Sequence, residues 1–128
     1  MIYIDTSVAL AHLLAEDRRP SPSLWRETVF TSRLLEYEVW TRINARGLNV
    51  SHGETVRNFL AHLAFVELER PILTRALEPY PVVVRTLDAL HLASMDFLRV
   101  QGQKVVLASY DGRMVTAARQ MGFALADV

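Results

Sequence analysis

Met1-Ile2-Tyr3-Ile4-Asp5-Thr6-Ser7 opens the chain with four apolar residues followed at once by a carboxylate and two hydroxyls. An apolar run this short, bounded by polar residues, reads as a buried strand. Asp5 then falls at its carboxyl end, the side of an open parallel sheet where ligands bind. A carboxylate is costly to take out of water there unless a partner or a cation compensates it. Glu38, Asp88 and Asp111 stand at comparable junctions between predicted strands and helices.

Outward from that opening, the chain alternates strand-like and helix-like segments. Val8, Leu10, Leu13 and Leu14 continue as a helix, and Glu16 to Ser23, with Pro20 and Pro22, is a loop. Thr28 to Thr31 is a β-branched and aromatic run, hence a strand. Ser32 is placed to cap a helix from Arg33 to Arg46 that Gly47 ends. Ser51-His52-Gly53-Glu54 has capping-box spacing, so a helix is expected to begin there and to run through Val56, Phe59, Leu60 and Leu63. Phe65 to Leu68 reads as a short strand and Pro71 to Leu77 as a helix, broken by the prolines of Glu78 to Pro81. Thr86 is expected to cap a helix from Leu87 to Val100 closed by Gly102. Lys104 to Ala108 is a strand, Gly112 to Met121 a helix, and Phe123 to Ala126 a last strand. This alternation predicts an α/β fold with a parallel sheet covered by helices on both faces. There is no internal repeat or low-complexity tract.

The 128 residues, 51% of them hydrophobic, fit a single domain over 1–128 that builds its core without a structural metal. With no cysteine, disulfides and thiolate metal sites are excluded. Fourteen basic against fourteen acidic residues give no global footprint for nucleic acid, although thirteen of the fourteen bases are Arg. No apolar run reaches the ~18 residues of a membrane span, and the start lacks the basic residues of a signal peptide, so a cytoplasmic protein without membrane attachment is expected.

Each acid has a local explanation. Asp5 fits a side-chain turn, Asp111 a helix cap, Asp88 the favourable end of a helix dipole, and Glu38 an i, i+4 pair with Arg42. Four unrelated preferences falling on one side of a sheet are harder to explain. If the strands before Asp5 and Asp111 are neighbours, all four carboxylates converge. Clustered carboxylates raise one another's pKa unless a hard cation neutralises them, and oxygen-only ligands suit Mg²⁺ or Mn²⁺. Such a site performs metal-assisted hydrolysis, for example of a phosphodiester.

Four segments in order, Ile4-Asp5-Thr6-Ser7-Val8, Thr31 to Val39, Leu87-Asp88-Ala89-Leu90-His91-Leu92-Ala93-Ser94 and Ser109-Tyr110-Asp111-Gly112-Arg113, resemble those of PIN-domain proteins. The third most resembles the VapC-type toxins of bacterial toxin-antitoxin pairs. The resemblance implies a three-layer α/β/α sandwich with a central parallel sheet of four to five strands, and a Mg²⁺-dependent endoribonuclease for which Mn²⁺ is a plausible substitute. It maps the family's acids onto Asp5, Glu38, Asp88 and Asp111, with Asp5 and Asp88 the leading metal ligands. It favours Glu38 over nearby Glu36 and gives Thr6 and Ser109 supporting hydroxyl roles. His91, one helical turn after Asp88, can hydrogen-bond that carboxylate or approach a phosphate, and reads first as an orienting or packing residue.

Arg42 and Arg46 follow Glu38 at helical spacing as candidate contacts to RNA or to an antitoxin. Trp25, Tyr37 and Trp40 read as core or interface residues. The implied partners are an RNA substrate, a cognate antitoxin whose peptide enters the acidic groove, and a second copy of the chain, packed on an apolar face of the Val56 or Pro71 helix. The alternative is a catalytically silent PIN-like module that binds RNA or protein. Phosphoryl transfer on an Asp nucleophile fits less well, since a second acid two residues on is replaced by Ser7, and the lone Lys104 lies at the beginning of its strand, not at the end.

Overall fold

Five short strands form one parallel sheet in a computed structural model that describes residues 1–128. In chain order they are β1 (Ile2–Ile4), β2 (Val29–Ser32), β3 (Ala64–Val66), β4 (Val106–Ala108) and β5 (Ala124–Leu125). Between them lie α1 (Thr6–Leu13), α2 (Arg33–Ala45), α3 (Asn49–Ala61), α4 (Arg70–Ala76), α5 (Thr86–Val100) and α6 (Gly112–Gln120), with a 3₁₀ turn at Pro22–Arg26. The order across the sheet is β3-β2-β1-β4-β5. The chain therefore builds to one side of β1 and then crosses to the other, so the β1/β4 boundary is the switch point, where neighbouring connections diverge and leave a crevice.

Alternation along the strands divides the core in two. Ile4 and Ala108 pack with Val8, Leu35, Val39, Ile43 and Val56, from α1, α2 and α3. Tyr3 and Leu107 point the other way and pack with Leu92, Met95, Met114 and Ala117, from α5 and α6. With a core on each face, β1 and β4 have no polar side, which is why they read as apolar runs. The result is the expected α/β/α sandwich. No helix is long and apolar enough to cross a membrane.

Two helix starts differ from expectation. Gly47 (φ 68°) reverses the chain after α2, and Leu48 N–H returns to Ile43 O at 3.0 Å, a Schellman closure. Leu48 packs against the core and leads directly into α3, so Ser51 lies inside the first turn, its hydroxyl donating to Leu48 O at 3.4 Å rather than capping. Thr86 is likewise the first residue of α5, with Arg85 at the capping position and no side-chain cap. Ser32 caps α2 as expected, accepting from Leu34 N–H at 3.1 Å. The apolar face of α3 is not free, because Val56 and Leu60 are buried; on α4, by contrast, Leu73 and Leu77 are exposed. Trp25 and Trp40 pack on the core, whereas Tyr37 is largely exposed.

Candidate active site

Asp5 leaves the sheet at the end of β1 and is 4% exposed. It occupies the capping position of α1 without capping it, so the expected side-chain turn does not form. Its carboxylate instead accepts two hydroxyl hydrogen bonds, Ser7 Oγ to Oδ1 and Ser109 Oγ to Oδ2, both 2.5 Å. Each hydroxyl in turn accepts a backbone amide of the β4–α6 loop: Tyr110 N–H to Ser7 Oγ at 2.9 Å, and Asp111 N–H to Ser109 Oγ at 3.0 Å. Burial pushes the Asp5 carboxyl above the ordinary aspartate range, and the Ser109 and Ser7 hydrogen bonds pull against it.

Glu38 projects from the second turn of α2. Its Oε1 accepts from Thr6 Oγ1 at 2.8 Å and lies 2.6 Å from His91 Nε2. It forms no ion pair with Arg42. Glu36 points elsewhere, to Arg33 at 2.5 Å, and Arg33 also grips Glu67 at 2.7 Å. The helix period separates the two glutamates and leaves Glu38 alone at the site.

Asp88 lies in the first turn of α5 and Asp111 at the start of α6. Asp111 caps its helix, as its local reading had it, and also reaches across to the start of α5. Its Oδ1 caps α6, accepting from Arg113 N–H at 2.9 Å and Met114 N–H at 3.4 Å, while its Oδ2 takes Arg85 Nη2 at 2.9 Å. Arg85 Nε also donates to Asp88 Oδ2 at 3.0 Å, so one guanidinium spans two carboxylates. Those carboxylates, Asp88 foremost, hold the Arg85 pKa above its usual value.

Asp5, Glu38, Asp88 and Asp111 all line one cleft of about 1110 Å³, together with Thr6, Ser7, His91, Arg42, Arg85, Arg18 and Tyr110. Ser109 acts from beneath it through Asp5. Arg46 does not line the cleft, and His91 bonds Glu38 rather than Asp88. Arg18 stacks over the Tyr110 ring at 4.6 Å to its centroid.

As the side chains stand, no three acids converge on one point, Arg85 bridging Asp88 and Asp111. In kind, however, the donors fit a hard divalent cation: carboxylate oxygens from four segments face one solvent-open cleft. The Asp88–Asp111 pair already holds a cationic group. Asp5 and Glu38 would hold the ion from the sheet side, and Asp88 and Asp111 from the other.

A model of the PIN domain matches residues 2–120. The chain belongs to the PIN-domain family. Within that family it is 29% identical over 133 residues to ribonuclease VapC47 of Mycobacterium tuberculosis, covering 98% of this chain and 96% of the relative. It is 31% identical over 128 residues to ribonuclease VapC46 of the same species, covering 97% and 95%. Among solved structures, this PIN domain resembles M. tuberculosis VapC20, described as a sarcin-ricin loop cleaving toxin, with a TM-score of 0.69 at 22% identity over 91% of this chain and 95% of that one. It also resembles a chain of a toxin-antitoxin complex from Klebsiella pneumoniae, with a TM-score of 0.71 at 15% identity over 99% and 97%. At those identities the two structures speak for the fold.

Several cleft residues escaped the sequence reading. Ser7 was visible two residues after Asp5, and Arg85 three before Asp88, a spacing that pairs side chains on a helix. Arg18 and Tyr110 gave no signal. Tyr3, buried and outside the cleft, gave a faint one, since a phenol in an apolar strand needs a partner for its hydroxyl.

Proposed function

We propose that the chain is a divalent-metal-dependent endoribonuclease, the toxin of a toxin-antitoxin pair. The observation that carries this reading is the single cleft at the β1/β4 switch point, into which four distant segments bring Asp5, Glu38, Asp88 and Asp111. The names of the M. tuberculosis relatives support it. Bound there, Mg²⁺, or Mn²⁺ in its place, supplies an activated water and offsets charge on the scissile phosphate. Asp5, held at both oxygens by Ser7 and Ser109, forms an oriented carboxyl wall of the cleft. Glu38 presents an oriented carboxylate opposite. Arg42 and Arg18, cationic at the cleft wall, meet the RNA backbone on either side of the reacting phosphate.

An antitoxin peptide is the partner that fits the same acidic groove, and the Klebsiella complex supports the pairing. The exposed Leu73 and Leu77 of the α4 face would suit contact with a second copy of the chain. The test is cleavage of a broad RNA panel by the wild type and by Asp5→Asn, with and without a chelator. Cleavage that survives either treatment ends the metal-hydrolysis reading. Arg85 bridging Asp88 and Asp111 favours the second reading, a silent binding module. Mn²⁺ or RNA binding without cleavage of any RNA in the panel would decide for it.

A further inference from the structure

From the sheet to the cleft runs a hydrogen-bonded chain that ends on Glu38. Tyr3 is fully buried and its hydroxyl lies 2.7 Å from His91 Nδ1. His91 is 2% exposed, and its other nitrogen, Nε2, lies 2.6 Å from Glu38 Oε1. Thr6 Oγ1 donates to that same oxygen at 2.8 Å. Both hydrogen bonds thus fall on Oε1, Oε2 takes none, and Glu38 lines the cleft. Four elements meet in this chain: β1, α1, α2 and α5. The Tyr3 and His91 rings also meet edge to face, with centroids 5.9 Å apart and planes at 81°, which fixes the plane of the imidazole.

The donors can be assigned from chemistry. An ionised carboxylate only accepts, so the hydrogen between His91 and Glu38 sits on Nε2. Burial drives the Tyr3 hydroxyl well above the ordinary phenol range, so Tyr3 keeps its proton. A buried O–H needs an acceptor, and a bare Nδ1 is one. The chain then runs in one direction, Tyr3 O–H to Nδ1, and Nε2–H to Oε1.

We propose that Tyr3 and His91 are positioning residues: Tyr3 holds His91 in the Nε2–H tautomer, and His91 with Thr6 locks Glu38 so that Oε2 alone is offered to the cation. This rests on the metal-site reading of Glu38. A histidine that orients a carboxylate ligand plays the same part that carboxylates play behind metal-bound histidines, where loss of the supporting group costs roughly 10–100-fold in metal affinity.

Two readouts test it. Imidazole ¹⁵N–¹H spectra of the metal-free protein should show His91 with a protonated Nε2 and a bare Nδ1. Its exchange-protected Hε2 signal should move upfield in Glu38→Gln, and the bare Nδ1 should lose its hydrogen-bond shift in Tyr3→Phe. Mn²⁺ affinity, measured by calorimetry, should fall about tenfold or more in His91→Leu and recover substantially in His91→Gln, whose amide restores an N–H donor; Tyr3→Phe should lie between. Thermal melts accompany each variant, and Tyr3→Phe keeps the buried ring should His91→Leu fail to fold. An Nδ1–H or doubly protonated His91 overturns the proposal, as does Mn²⁺ affinity equal to wild type in folded His91→Leu or Tyr3→Phe. Wild type that binds no Mn²⁺ defeats the metal reading instead, and the imidazole spectra then still decide whether the chain locks Glu38.

Discussion

Ser109→Ala removes one oxygen and tests how Asp5 survives its burial. Ser109 Oγ donates to Asp5 Oδ2 at 2.5 Å in a site only 8% exposed, and no other side chain reaches that oxygen. A hydrogen bond to a charged group is worth about 1.5–3 kcal/mol, against about 0.5–1.5 kcal/mol between neutral groups. With the carboxyl ionised, the substitution should therefore cost the larger amount. With it protonated, only the smaller is lost.

The sign follows from the direction of the Asp5 shift. Its folded pKa lies above the unfolded one, so between the two the folded state holds more protons, and stability falls as pH rises through that window. Removing the Ser109 donor raises the folded pKa further and deepens that fall. The stability gap between wild type and Ser109→Ala should thus widen from acid to neutral pH, by about 1–1.5 kcal/mol. Urea melts in chelator, at neutral pH and below the ordinary aspartate range, measure it, and a melting shift of roughly 3–5 °C per kcal/mol gives an independent check for a chain this long. A gap that is constant with pH, or that narrows toward neutrality, would refute the claim that this hydroxyl holds a buried anion.

Asp5→Asn should lower RNA cleavage by at least about 100-fold, equivalent to about 2.7 kcal/mol of lost transition-state stabilisation, in single-turnover assays at saturating Mg²⁺. Arg42→Ala should weaken RNA binding with little sequence dependence and reduce the slope of log affinity against log salt by about 0.7, read by fluorescence anisotropy over a salt series. Leu77→Asp should turn a dimer into a monomer in sedimentation if α4 forms the contact; an unchanged sedimentation coefficient removes that face from consideration. Ala15 has φ 49°, left-handed backbone without the freedom of glycine, so Ala15→Gly should raise stability by about 1 kcal/mol in denaturant melts.

The parts of this protein that follow local rules were legible in its sequence. The apolar run before Asp5 becomes a strand over Ile2–Ile4 that sends Tyr3 and Ile4 into the two cores, and Ser32 caps α2 because its hydroxyl needs only the amide of Leu34. The helix period alone separates Glu38 from Glu36. What stayed hidden depends on contacts between distant segments. Ser51 carries a sound capping signal, yet the closure of α2 at Gly47 and the burial of Leu48 decide where α3 begins. His91 sits one helical turn from Asp88 and invited that pairing, but its ring turns under the floor to Glu38, 53 positions away, because Tyr3 waits there. Arg85 could be paired with Asp88 by spacing, whereas its second carboxylate, Asp111, comes from across the switch point.

The central position of β1 has a consequence for the life of the chain. Its two flanking strands are made at very different times: β2 at Val29–Ser32, soon after β1, and β4 only at Val106–Ala108. Until Val106–Ala108 and the Ser109 that follows are in place, Asp5 has neither the neighbouring strand nor the second hydroxyl that make its burial tolerable. A growing or truncated chain therefore has no assembled cleft. Whatever the cleft does begins only after β4 and Ser109 have been made, so Asp5, fifth in the chain, waits on residues about a hundred positions later.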